Sequence, residues 1–217
     1  MQLRANEIEL PVSDRGQERL ARLTAEQQAR KRWLSMASRE VADQRPDQTQ
    51  WLCLRVMTGR EKAVENLLEA MNIEALVPTR KGKVHYRRGR TIPAADVPVL
   101  LGYVPVRCAV TGSAMAGLKT VEHVIGVLGT WEAPLMIEAD FINRYREKAR
   151  FGDFDYERQG MPVRRGQRVR IAEGPFATMS GEVVTECLSG VGDVVVEVEM
   201  MGRKIPVLMP IAFLSEL

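Results

Sequence analysis

Apolar and polar positions follow three different patterns along the chain. Residues 1–50 are polar and rich in Gln, Arg, Ala and Glu, with only a thin apolar stripe at Trp33, Leu34, Ala37 and Val41. Thr24-Ala25-Glu26-Gln27 has capping-box spacing, which predicts a helix continuing through Arg39 to Val41 and ended by Arg45-Pro46. From Trp51 the pattern changes. Trp51–Met57 is a β-prone apolar run, Thr58-Gly59 a turn, and Ala63, Val64, Leu67, Leu68 and Met71 repeat at helical spacing. Strands are then expected over Ile73–Pro78, Gly102–Cys108 and Val124–Leu128. Helices are expected over Leu118–Val121 and Glu138–Arg150, the latter with Phe141, Ile142 and Tyr145 on one side. Such alternation predicts one sheet covered by helices, an α/β sandwich over 51–150. Residues 151–162 lack periodicity and read as a linker.

The last segment, 163–217, contains only short strands and tight turns. Val194, Val196, Val198 and Met200 fall on one face of a strand and Glu197 and Glu199 on the other, which suits a five-stranded SH3-like barrel. The whole chain is therefore expected to be α+β: a polar helical extension, a sandwich and a small barrel. Within the barrel, Val169-Arg170-Ile171 leads to Gly174-Pro175-Phe176 and Gly181, placing a large aromatic at a loop tip. An aromatic there has no evident core to fill and points to a docking surface.

Composition narrows the function more by exclusion than by indication. The 217 residues carry 31 Lys and Arg against 28 Asp and Glu, a formal net charge of +3. That balance alone does not demand a nucleic-acid partner. No apolar run approaches the roughly 20 residues that span a bilayer, and the N-terminus lacks a secretory h-region, so a cytoplasmic protein is expected. Cys53, Cys108 and Cys187 are widely spaced and embedded in apolar sequence, as core residues rather than a disulfide frame or zinc site. His85 and His123 have no second ligand at useful spacing, and no nucleotide-binding or hydrolase motif occurs. Neither a catalytic residue, a metal nor a cofactor is expected. Glu61, Glu65 and Glu69 read as carboxylates on a solvated helix face beside Arg60 and Lys62.

Two stretches have binding character. Arg80, Lys81, Lys83, Arg87, Arg88 and Arg90 stand together without an acidic residue, and Tyr86 adds a ring able to stack on a base. The same stretch also fits a solubilising loop. In Val99–Val106, a buried strand explains the apolar density; yet Pro105 belongs at a sheet edge and a buried Tyr103 needs a partner for its hydroxyl. The residues alone favour the core reading, the alternative being one face exposed as a binding patch beside Phe141 and Tyr145.

Taken together, these residues resemble the NusG family of transcription elongation factors. The resemblance runs over about 51–217: Trp51 opening the first strand, Gly59–Met71, Val77-Pro78, Gly102-Tyr103-Val104 with Val106, Val121–Gly126 and Gly129. It ends in Val-Arg-Ile-x-x-Gly-Pro-Phe-x-x-x-x-Gly at 169–181. It implies an NGN domain at 51–150 that binds RNA polymerase and a KOW domain at 163–217 that recruits another factor. The family's polymerase-binding patch, which grips the clamp helices of the largest subunit, falls on Leu100, Tyr103, Pro105, Phe141, Ile142 and Tyr145. Ile171 and Phe176, with Met179 where an aromatic is common, match the surface by which family members bind Rho or the ribosomal protein NusE. A clamp-bound monomer would bring Arg87, Arg88 and Arg90 to the non-template DNA strand, with no membrane contact. Leu101 replaces the family's usual proline, Val99 and Leu100 its aromatics, and residues 1–50 lie outside its pattern; these departures suggest a specialised paralogue of the RfaH kind. The competing reading is a KOW-containing RNA- or ribosome-binding protein.

Overall fold

The computed structural model describes residues 13–217. Its centre is a strand, β1 (Thr49–Val56), flanked on both sides in a four-stranded antiparallel sheet. The other members are β2 (Glu74–Ala75), β7 (Tyr103–Ala109) and β8 (Val124–Val127), in the order β2-β7-β1-β8. Because side chains alternate along a strand, β1 feeds two cores. Leu52, Leu54 and Val56 pack with Val104, Val106 and Cys108 beneath two helices, α3 (Glu61–Ala70) and α4 (Gly112–Leu118). Trp51 and Cys53 join the opposite core, with Ile142, Tyr145 and Ala149 of α5 (Ala139–Arg150).

The N-terminal extension departs from its expected form. Helix α1 spans Asp14–Ser35 and is capped by Ser13, whose Oγ accepts the Gly16 N–H at 3.3 Å. Thr24 lies inside that helix, its hydroxyl donating to the Leu20 carbonyl at 2.8 Å. A break at Met36–Ser38 precedes α2 (Arg39–Gln44), whose first N–H donates to the Asn72 carbonyl. Leu34, Ala37 and Ala42 are buried, the first two in the core beneath α3 and α4, so the end of the extension completes the sandwich. Trp33 remains 42% exposed.

Helix α4 precedes the expected Leu118–Val121, with Thr111 Oγ1 accepting the Ala114 N–H at its start. Its small residues hid it from periodicity, and they serve close packing. A Cβ on Gly117 would lie 2.6 Å from the backbone carbon of Trp33 and 2.7 Å from the Leu34 nitrogen. The expected strand over Ile73–Pro78 reduces to β2, after which the chain turns away from the sheet. β3 (Thr79–Lys81) pairs with β6 (Asp96–Pro98), and between them β4 (His85–Arg87) and β5 (Arg90–Ile92) form a small hairpin. Arg88 and Gly89, at φ 49° and 73°, give its two-residue turn the left-handed backbone that matches strand twist.

Pro105 is not at an edge: β7 lies between β2 and β1. Its opposite residue, Cys53, directs its carbonyl the other way, to the Leu128 N–H, so this pair exchanges no hydrogen bond. The Pro105 carbonyl instead accepts from Leu76 N–H, and its ring nitrogen faces that same sparsely paired side.

Beyond α5 come β9 (Arg168–Ile171), β10 (Ser180–Val183), β11 (Asp193–Met200), β12 (Arg203–Pro210) and β13 (Leu214–Ser215). They form one antiparallel sheet in the order β12-β11-β10-β9-β13. Val194, Val196, Val198 and Met200 point inward along β11, as their alternation predicts. Cys53 and Cys108 are buried, and burial pushes both thiols up, that of Cys108 to about 12.

Gly117→Ala is expected to destabilise the chain by about 1–3 kcal/mol, because backbone rather than a flexible side chain must move. Urea unfolding checks this. Gly112→Ala, whose Cβ would meet nothing within 4 Å, is the control expected to stay near wild type.

Candidate partner-binding face

The second face of the sheet is held in shape by a carboxylate that spacing assigned to solvent. Glu61 is 1% exposed, and its Oε1 accepts the Gly102 N–H at 2.6 Å and the Gly59 N–H at 3.1 Å. Gly102, at φ 82°, returns its carbonyl to the Val56 N–H. These bonds fix the turn into β7 and therefore the direction of Tyr103. Glu65 is also buried, accepting the Val77 N–H at 2.7 Å while Lys62 pairs with its second oxygen. Only Glu69 of the three carboxylates stays exposed.

Tyr103 and Pro105 extend this face from β7, Leu100 precedes them, and α5 contributes Phe141, Ile142 and Tyr145. Leu101, Met57 and Ile125 leave exposed apolar surface nearby on the same domain. The six residues singled out from sequence thus belong to one region, but most are covered. Leu100, Ile142 and Tyr145 are each 1% exposed, Pro105 is buried, and Tyr103 and Phe141 are half-buried. Burial pushes both tyrosine hydroxyls up, Tyr145 further than Tyr103.

The cover is the C-terminal domain. Phe176 is fully buried rather than displayed at a tip, its ring meeting Tyr103 edge-on at 5.0 Å and 88°. Phe213 meets Tyr145 edge-on at 5.9 Å and lies 4.7 Å from Phe154. Gly174, at φ 73°, lets the loop approach closely: a Cβ there would fall 2.9 Å from Phe213 and 3.6 Å from Leu100. Phe141 shares a groove with Pro175, Ala177 and Met179. Ile171 is buried and Met179 half-buried, so Ile171 and Phe176 are closed to any partner in this conformation.

Residues 151–162, expected as a linker, are pinned to both neighbours. Phe154 is 1% exposed, Asp155 accepts the Lys81 N–H at 2.8 Å, and Tyr156 N–H donates to the Lys81 carbonyl. Farther along, Gly160 N–H donates to Gly190.

The basic stretch divides in two. Arg80 does not join the exposed arginines: 8% exposed, it places Nη2 2.7 Å from both carboxylate oxygens of Asp193 and Nη1 3.3 Å from the Phe154 carbonyl. Lys81 Nζ pairs with Asp96 at 2.7 Å, and Lys83 lies over the Tyr156 ring. Arg87, Arg88 and Arg90 stay exposed around a Tyr86 that is 79% exposed. Sequence reasoning missed Asp193, Glu173, Phe154 and Phe213. Asp193 alternates with the inward valines of β11, a local pattern that says nothing of the domain facing it. Among the described residues no group of three His, Cys, Asp or Glu is placed to hold a metal.

The family model for the transcription termination factor NusG matches residues 49–146, from the first residue of β1 into the last turns of α5. The NusG transcription termination/antitermination protein of Haemophilus influenzae is 32% identical over 162 residues, spanning 70% of this chain and 80% of that protein. The chain belongs to the NusG family. A second curated NusG, from Treponema pallidum, is 29% identical over 177 residues, covering 73% of this chain and 93% of the relative. A solved structure described as the domain interaction in Thermotoga maritima NusG is 18% identical with a TM-score of 0.41, over 78% of this chain and 97% of that one. The protein is a NusG-type transcription factor, and among its described residues no helix is long and apolar enough to cross a membrane.

Glu61→Ala removes the acceptor for two backbone N–H groups and is expected to cost about 1–3 kcal/mol. Glu61→Gln keeps an acceptor oxygen and should recover most of that loss, as chemical denaturation of the two variants will measure.

Proposed function

We propose that this factor binds RNA polymerase through the apolar face of its N-terminal domain and modulates elongation, pausing and termination or antitermination. The observation that carries the reading is the face itself: Leu100, Tyr103, Phe141, Ile142 and Tyr145 gather on one face of the sheet without catalytic chemistry around them. An apolar surface with aromatic anchors suits a pair of packed helices laid across it, as the clamp helices of the polymerase's largest subunit provide. A factor seated there favours the closed, elongating enzyme over opened, paused states by population shift.

The C-terminal domain recruits a second factor, Rho or the ribosomal protein NusE, through the surface around Ile171, Phe176 and Met179. Both surfaces face inward here, so both activities require the domains to part. Arg87, Arg88 and Arg90 with Tyr86 form an exposed arm suited to the non-template DNA strand, phosphates pairing with the guanidinium groups and a base stacking on the ring.

Single-round transcription with the cognate polymerase tests the reading. The wild-type chain should change pausing or readthrough, and Tyr103→Ala should lose that effect with its polymerase affinity down about tenfold or more. An unchanged affinity would remove Tyr103 from the contact. Reversing the charge of Arg87, Arg88 and Arg90 together should reduce the effect on pausing while leaving polymerase affinity intact.

A further inference from the structure

Helix α1 ends in the core but begins outside it. Leu34 and Ala37 are buried beneath α3 and α4, whereas every residue of 15–28 except Gly16 is exposed. Roughly 21 Å of helix therefore stands free of the domain. A helix of that length without tertiary cover is marginal in water, and the surface Arg22–Glu26 pair adds little to it.

The free stretch is not polar all round. Leu20, Leu23, Gln27 and Leu34 recur at heptad spacing, which puts them on one face of the helix. The face that buries Leu34 thus continues outward as an apolar seam, with Leu20 54% and Leu23 47% exposed. At its inner end the seam opens on a groove of about 220 Å³ between α1 and α3, walled by Leu34, Leu67, Met71 and Val121. Leu67 is itself 42% exposed there. Seam and groove lie on the side of the sheet opposite Tyr103, so closure of the two domains leaves them uncovered.

Charge selects the occupant. Arg19 and Arg30 flank the seam on one side and Lys31 on the other, and all three are exposed. None of them is in an ion pair among the described residues. Glu26 is held by Arg22 at 3.1 Å, and Glu122 stands at the groove's rim beside His123. A second copy of the chain would set these cations against one another, with only the engaged Glu26 to offset them. A nucleic acid would match the cations but leave the leucines and the groove in water.

We infer that the seam of α1 and the groove at its end are a docking site for an amphipathic helix with acidic flanks, supplied by another protein. Its apolar side chains at heptad spacing cover Leu20, Leu23 and Leu67, and its carboxylates meet Arg19, Arg30 and Lys31. Helix α1 precedes the region matched by the NusG family model, so the inference goes beyond the polymerase reading and does not depend on it.

Fluorescence anisotropy on the full chain tests the site, at about 0.1 M salt so that surface charges are neither dominant nor silenced. The probe is a labelled three-heptad synthetic helix with Leu at positions a and d and Glu at e and g. It should bind at least tenfold more tightly than the same helix with Lys at e and g. Leu20→Glu with Leu23→Glu should lower that affinity at least tenfold; both positions are exposed, and an unchanged urea midpoint will show that the fold is kept. Arg30→Glu with Lys31→Glu should reverse the preference between the two helices. Equal affinity for both helices, or none for either, would overturn the site. So would a concentration-dependent dimer abolished by the leucine variant, which would give the seam to a second copy. An oligonucleotide that binds through Arg30 and Lys31 and that the acidic helix fails to displace would give it to nucleic acid, and overturn the inference equally.

Discussion

The structure depends on a strand that is buried on both sides. β1 has neighbours at each edge and apolar residues on each face, so the N-terminal domain must find cover for two surfaces rather than one. The face bearing Leu52, Leu54 and Val56 is closed by α3, α4 and the end of α1. The face bearing Trp51 and Cys53 is covered by α5, and its aromatic margin continues into Phe154, Phe176 and Phe213. Surface of that kind is costly to leave in water. The second domain supplies that cover here, and in the proposed function a protein partner is the alternative for the same apolar area.

Much of this was legible, and the limits have physical causes. The β1 run, α3, α5 and the inward alternation of β11 follow from periodicity because each buries one face against a large core. The small residues of α4 carry no such pattern, since its contact with α1 depends on absent side chains at Gly117 rather than apolar bulk. Glu61 and Glu65 were misread because a helix-face carboxylate looks the same in sequence whether it meets water or backbone N–H groups from a distant turn. The six positions named for the candidate face do lie together, and the family resemblance more than spacing singled them out. Its cover was not, because local patterning describes a strand's two sides and not what lies opposite either of them.

Phe176 shows how far that limit reaches. A Gly-Pro-Phe turn between short strands does present its aromatic away from the barrel's alternating core positions, which is why it reads as a docking residue. The structure docks it within its own chain, on Tyr103. The expected display at a loop tip is therefore replaced by burial between the two domains. The same limit applies to Arg80, which stands in a basic run and pairs with an acid 113 positions away in sequence.

Aromatic edge contacts and buried charges divide the work of holding the two domains. Edge-on pairs such as Tyr103–Phe176 and Tyr145–Phe213 are worth about 0.5–1.5 kcal/mol each beyond the area they bury, and they tolerate small shifts. A bidentate Arg–carboxylate pair tolerates few, because two parallel hydrogen bonds set both distance and plane. An interface made of aromatics alone would close in several registers, and one made of charges alone would gain little by closing. Combined, they give a closed form that is single in geometry and modest in stability. Under the proposed function, that combination suits a surface shared with a partner: cover complete enough to prevent indiscriminate apolar contact, and weak enough for a better-fitting helix pair to displace.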